Sequence, residues 1–190
     1  VEGTTGEYPR QITLVTSVAH ASTIDLPPNG RYVYLTQTTL SVDETQAIVE
    51  SLKTRFPGLT APPSDDICYA TQNRQVAVKT LARQCNVVLV IGSQNSSNSL
   101  RLKEVAQQEG ALAYLIDGAK ELRDEWLADI QAVGITAGAS APEILVTELV
   151  DLLGQRFPGS TVELVKVTDE SMHFPLPKEL REFSAAAPQR

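Results

Sequence analysis

The chain has 190 residues, enough to bury one sizeable core or two small ones, and 23 acidic against 16 basic residues give it a formal net charge of -7. The basic residues are scattered rather than gathered in a stripe, which argues against nucleic acid as the main partner. No apolar run approaches the roughly 20 residues of a membrane span, and two cysteines, Cys68 and Cys85, cannot make a disulfide framework and fit a reducing compartment.

Strand-like and helical periods alternate along the chain, which predicts an α/β fold. Residues 11–16 and 31–36 read as strands. A helix is predicted from Val42 to Phe56 with Ile48, Val49, Leu52 and Phe56 on its apolar face, opened by a capping box of Ser41 and Glu44. Pro57 and Gly58 stop it, and residues 61–64 read as a linker and domain boundary. A second helix is expected from Asp66 to about Arg83, with Ala70, Ala77 and Leu81 on one face.

The apolar run 87–91 then reads as a strand buried on both faces. It is followed by eight small or polar residues, Gly92 to Ser99, and by a helix carrying Leu102, Val105 and Ala106 as far as Gly110. Residues 111–116 are a further strand, 121–127 a short helix and 132–136 the last central strand. The next helix has the stripe Leu145, Val146, Leu149, Val150 and Leu153, and residues 161–167 read as a return strand before an irregular tail.

Three loops that follow strands are rich in hydroxyls: Thr36 to Thr39, Ser93 to Ser99 and Thr136 to Ser140. Loops at the carboxyl ends of parallel strands are where α/β proteins bind ligands. Hydroxyls, side-chain amides and first-turn N–H groups together favour an anion. The 92–99 loop contains no charged residue, so an anion there would be held by neutral dipoles. Each element also has a plainer reading. Ser140 and Glu143 have capping-box spacing, with Pro142 in the first turn. The 93–99 loop reads equally as a solvated turn, and Cys68 as a small buried hydrophobe. The alternative for Cys68 is a thiolate near a helix start, available as a metal ligand or nucleophile, with Thr71 and Gln72 facing the same way. Cys85, just before the buried strand, reads as packing. His20 and His173 fall in segments that look peripheral, a loop and the tail, and no phosphate-loop or dinucleotide fingerprint is present.

Four segments in order carry a specific resemblance: Thr36 to Asp43, Asp65 to Thr71 with Asn73 to Gln75, Gly92 to Ser99, and Gly134 to Pro142. Together they resemble the 4-hydroxy-3-methylbut-2-enyl diphosphate reductases, which catalyse the last step of the non-mevalonate isoprenoid pathway. The resemblance runs from Val1 to about Glu182. It implies small parallel-sheet domains with helices on both faces, part of a three-domain trefoil around a [4Fe-4S] cluster. It further implies Cys68 as one of three cluster cysteines, Ser96, Ser97, Asn98 and Ser140 as ligands of the substrate diphosphate, and Thr38 as the catalytic residue beside the substrate hydroxyl. Capping and diphosphate binding are compatible roles for Ser140.

The family's other two cluster cysteines, its diphosphate-binding histidines and its His-Pro-Glu glutamate have no counterpart here, and Val1 to Thr4 resemble the continuation of that motif. With Met172 as the only methionine, the sequence is expected to be a C-terminal piece: 1–64 the end of a second α/β domain, 65–153 a third domain with the cysteine and the diphosphate loops, 154–190 a strand and tail. The expected function is that part of an oxidoreductase yielding isopentenyl and dimethylallyl diphosphate, served by an electron donor such as ferredoxin or flavodoxin in a bacterial cytoplasm or a plastid. The alternative is a non-catalytic diphosphate-binding module. One thiolate cannot hold a cluster that needs three or four ligands, so the chain alone is expected to be inactive.

Overall fold

A computed structural model describes residues 2–27, 30–62 and 66–168. Short helices α1 (Glu2–Glu7) and α2 (Val18–Thr23) precede α3 (Val42–Arg55) and α4 (Tyr69–Gln84). Strand β1 (Val87–Ile91), helix α5 (Ser97–Gln108), strands β2 (Leu112–Ile116) and β3 (Val133–Ala137), and helix α6 (Glu143–Arg156) follow. The β-branched and leucyl run of β1 is buried at every position because the strand is central, in a parallel sheet of order β2-β1-β3.

Successive side chains of β1 point to opposite faces, and each face has its own helices. Val88 and Val90 pack with Val78 and Ala82 of α4 and Leu102, Val105 and Ala106 of α5. Val87, Leu89 and Ile91 pack with Leu149 and Leu153 of α6 and with Leu122 and Leu127. This is a helix–sheet–helix sandwich, the α/β architecture that the alternating pattern predicts. A separate small core gathers Ala21, Ile24 and Leu52 with Val15, Ile48 and Phe56.

Several expectations are corrected. Residues 12–16 are not a strand, and His20 lies in α2 rather than in a loop. Residues 31–36 form one isolated bridge, Val33 to Thr60, instead of a strand. Their alternation is strand-like, with Tyr32 against Phe56 and Val33 and Leu35 exposed, but no ladder forms. Residues 161–167 are irregular, and Val162 and Leu164 stand in solvent. The 121–127 helix is two 3-10 turns, Ala119–Glu121 and Asp124–Leu127. Helix α4 starts at Tyr69, and its buried residues are Thr71, Gln75, Val78 and Ala82; of the expected Ala70, Ala77 and Leu81, only Leu81 packs, partly buried, against the same core. The reason is polar: the Gln75 amide is buried, accepting from Val42 N (3.0 Å) and donating to Leu40 O (2.8 Å). The far end of the 61–64 linker, and Met172 and His173 in the tail, lie outside the described residues.

Candidate functional site

The loops after β1 and β3 leave neighbouring strands in opposite directions. The first leads to α5 on one face of the sheet and the second to α6 on the other. Such a divergence opens a crevice at the carboxyl ends of the strands, the usual ligand position in α/β sheets. Gly138 N donates to Ile91 O (2.8 Å), so the two strand ends stay paired up to the crevice.

On the β1 side, a tight turn (Ser96 N to Ser93 O, 2.9 Å) delivers the chain to α5, whose N-cap is Ser96. Ser96 Oγ accepts from Ser99 N (3.3 Å) and from Ser99 Oγ (3.0 Å). Ser97, the first helical residue, is exposed. Asn98 is 8% exposed, and neither its Oδ1 nor its Nδ2 has a hydrogen-bond partner. A buried side-chain amide with both ends unpaired costs about 1–3 kcal/mol per group and calls for a partner from elsewhere. The N–H groups of Ser97 and Asn98 belong to the first turn and have no carbonyl within their own helix.

On the β3 side the capping box is not formed. Helix α6 begins at Glu143 with Pro142 at the N-cap, and Pro142 offers no side-chain cap. Ser140 sits two residues earlier in the turn closed by Ala141 N to Gly138 O (3.0 Å), exposed and without a hydrogen bond to any described residue. Its hydroxyl is therefore uncommitted, whereas within the first turn of α6 Leu145 N already donates to Pro142 O (3.1 Å).

Cys68 is the N-cap of α4 and is exposed, which removes its reading as a buried hydrophobe. Its amide donates to Thr38 O (3.3 Å), which brings the candidate threonine and cysteine together. Thr71 is buried, and the Gln72 amide turns back to donate to Ile67 O (2.9 Å), the carbonyl of the peptide that leads into Cys68. Cys85 caps the other end of α4, and burial pushes its thiol pKa up. The Thr38 loop is tied to α5 through Glu44 at the start of α3, which binds Arg101 (3.1 Å) and Gln108 (2.9 Å). Among the described residues no side-chain hydrogen bond joins Thr38 or Cys68 directly to Ser96–Asn98, and the cleft of about 500 Å³ lined by Gln94, Tyr114, Lys120 and Trp126 includes none of the candidates.

Sequence reasoning placed Gly92, Ser99 and Gly138 in the candidate loops but gave them no role. Ser99 is fully buried, and a Cβ on Gly92 or Gly138 would lie 2.2 or 2.1 Å from its Oγ. Neither glycine has a left-handed backbone, so what they provide is space for α5 to approach the strand ends. A glycine directly after each of two neighbouring strands was the available signal.

The sequence profile of the LytB protein family matches residues 1–154. The chain belongs to the LytB family. Among its relatives, a 4-hydroxy-3-methylbut-2-enyl diphosphate reductase of Leifsonia xyli subsp. xyli is 55% identical over 183 residues, covering 95% of this chain and 54% of that protein. One of the same name from a Psychrobacter species is 49% identical over 185 residues, 95% of this chain and 58% of the relative. The solved structure of the E-1-hydroxy-2-methyl-but-2-enyl-4-diphosphate reductase from Plasmodium falciparum superposes with a TM-score of 0.84 at 31% identity, over 97% of this chain and 58% of that one. This LytB chain thus spans about half the length of the curated relatives it matches.

An iron–sulfur cubane takes three or four protein ligands. Cys68, exposed at a helix start, suits one of them, but no group of three Cys, His, Asp or Glu side chains among the described residues could hold a metal. The described residues do not by themselves fit the cluster. No described helix is long and apolar enough to cross a membrane.

Proposed function

We propose that this chain is the diphosphate-binding part of a 4-hydroxy-3-methylbut-2-enyl diphosphate reductase, an oxidoreductase making isopentenyl and dimethylallyl diphosphate in the non-mevalonate isoprenoid pathway. The observation that carries the reading is Asn98. A buried amide with a donor and an acceptor both unpaired sits at the first turn of α5, at the crevice between β1 and β3. Ser96, Ser97 and Asn98 on one side and Ser140 on the other bind the diphosphate through neutral donors and helix ends. Thr38 lies beside the substrate hydroxyl, and Cys68 is one ligand of a [4Fe-4S] cluster whose other ligands come from outside the described residues.

Residues 1–64 are the end of one α/β domain, 65–153 a second complete one, and 154–190 a tail. That division accounts for the separate small core and for the strand-like 31–36 segment that finds no sheet. The electron donor is a small carrier of the ferredoxin or flavodoxin kind, and the compartment a bacterial cytoplasm or a plastid. Taken alone, the chain is a diphosphate-binding module without redox activity.

The test uses a reductase of full family length carrying these residues. A hydrogen bond to a charged group is worth about 1.5–3 kcal/mol, so Asn98→Ala and Ser140→Ala should each weaken substrate binding roughly ten- to a hundred-fold. Ser140→Ala should leave the melting temperature unchanged, because Ser140 caps no helix. Cys68→Ser should remove the stable cluster and Cys85→Ser should keep it. Parental substrate affinity in both Asn98→Ala and Ser140→Ala would refute the anion site.

A further inference from the structure

A serine hydroxyl has one proton to give and two lone pairs to accept with. At Ser96 both lone pairs are engaged by a single residue, Ser99, through its backbone N–H (3.3 Å) and its own hydroxyl (3.0 Å). What remains of Ser96 is its proton, which must point away from Ser99. We propose that Ser99 is a positioning residue for the anion site: it turns the Ser96 hydroxyl into a committed donor toward the bound diphosphate. The assignment rests on the diphosphate reading of that site, to which the unpaired, nine-tenths-buried Asn98 independently points.

The surroundings of Ser99 support a role beyond filling space. It is wholly buried and wedged between the backbones of Gly92 and Gly138, at the ends of β1 and β3. Either glycine with a side chain would displace the hydroxyl, since an added Cβ lies 2.2 Å from it at Gly92 and 2.1 Å at Gly138. Three chain segments are thus arranged around one oxygen, and that oxygen donates to the N-cap hydroxyl. A free hydroxyl rotates to suit its partners. One held from two sides by Ser99 is oriented before the ligand arrives, so less freedom is lost on binding.

The experiment is a double-mutant cycle in a reductase of full family length bearing these residues, comparing parent, S96A, S99A and S96A/S99A. The readouts are binding of inorganic diphosphate by calorimetry and KM and kcat for the allylic diphosphate. Alanine is smaller than the slot and a better helix former than serine, so S99A keeps the fold, and a melting curve is recorded beside each variant. One neutral hydrogen bond corresponds to about a two- to ten-fold change in affinity. S99A should weaken diphosphate binding by that factor and raise KM with kcat nearly unchanged, and S99A should add nothing in the S96A background. An equal loss in both backgrounds would overturn the proposal, because Ser99 would then act independently of Ser96. So would parental affinity in S99A alongside weakened S96A. If S96A itself binds inorganic diphosphate like the parent, the reading of the anion site fails first and this inference falls with it, a distinct outcome of the same cycle.

Discussion

Cys68 and Cys85 occupy the two ends of one helix, Cys68 as the N-cap and Cys85 as the C-cap of α4. Their surroundings separate them. Cys68 is exposed, whereas burial holds the Cys85 thiol above its ordinary pKa of 9.0. Only the thiolate alkylates, so iodoacetamide at pH 8 should label Cys68 well before Cys85, as mass spectrometry of the digested protein would read out. The sign of the linked stability follows. A raised pKa in the fold means that the folded chain keeps its proton longer than the unfolded one. The contribution of Cys85 is fully present below the unfolded thiol value and is lost as pH rises past it. Denaturant melts from pH 8 to 10 should therefore show a pH-dependent loss of stability that Cys85→Ala abolishes. Equal labelling of the two thiols, or the same pH profile in the variant, would contradict this account.

At the scale of elements, the approach of α5 to the strand ends depends on space at Gly138. A Cβ there would meet Ser99 Oγ at 2.1 Å, but Ser99 Cβ only at 3.4 Å and Ile91 O at 3.7 Å. Overpacking of this kind costs about 1–3 kcal/mol. Gly138→Ala should therefore destabilise the chain, and adding Ser99→Ala should restore most of the loss, a rescue visible in paired thermal melts. Additive losses would show that the clash is elsewhere. The same elements show what the sequence pattern conveys. The strands β1, β2 and β3 and the helices α3, α5 and α6 are readable to within a residue or two, because long apolar periods have one consistent interpretation. The face of α4 is not readable, since its deepest side chains include Thr71 and Gln75, and an apolar count is blind to an amide buried to hold a neighbouring loop. The Ser140 cap fails for a local reason: Pro142, with φ -62 and ψ 137, takes the N-cap itself and leaves Glu143 at the first helical position rather than the third. The candidate diphosphate residues are legible as a hydroxyl-rich loop, but Ser99 is not, because its role depends on two glycines far apart in sequence.

For the whole molecule, the arrangement of cysteines decides what this chain does by itself. Its two cysteines bracket a helix of 16 residues, which at 1.5 Å per residue is about 24 Å long. A cubane is only a few Å across, so Cys68 and Cys85 cannot share one. No described histidine or carboxylate groups with Cys68 to form a metal site. The residues proposed to hold the diphosphate, by contrast, all lie in this chain, at the ends of β1 and β3 and the starts of α5 and α6. Anion binding and cluster binding should therefore separate. Purified alone and reconstituted anaerobically with iron and sulfide, the chain should stay colourless, without the broad visible absorption of an iron–sulfur centre. Under the same conditions it should still bind inorganic diphosphate, and Asn98→Ala should weaken that binding. Joined to the amino-terminal half of a full-length relative, it should take up the cluster, and Cys68→Ser should then abolish the colour while leaving diphosphate binding in place. A stable brown protein with about four irons from the isolated chain would show that ligands beyond Cys68 lie within it, and the assignment of the remaining ligands to a separate part of the protein would be wrong.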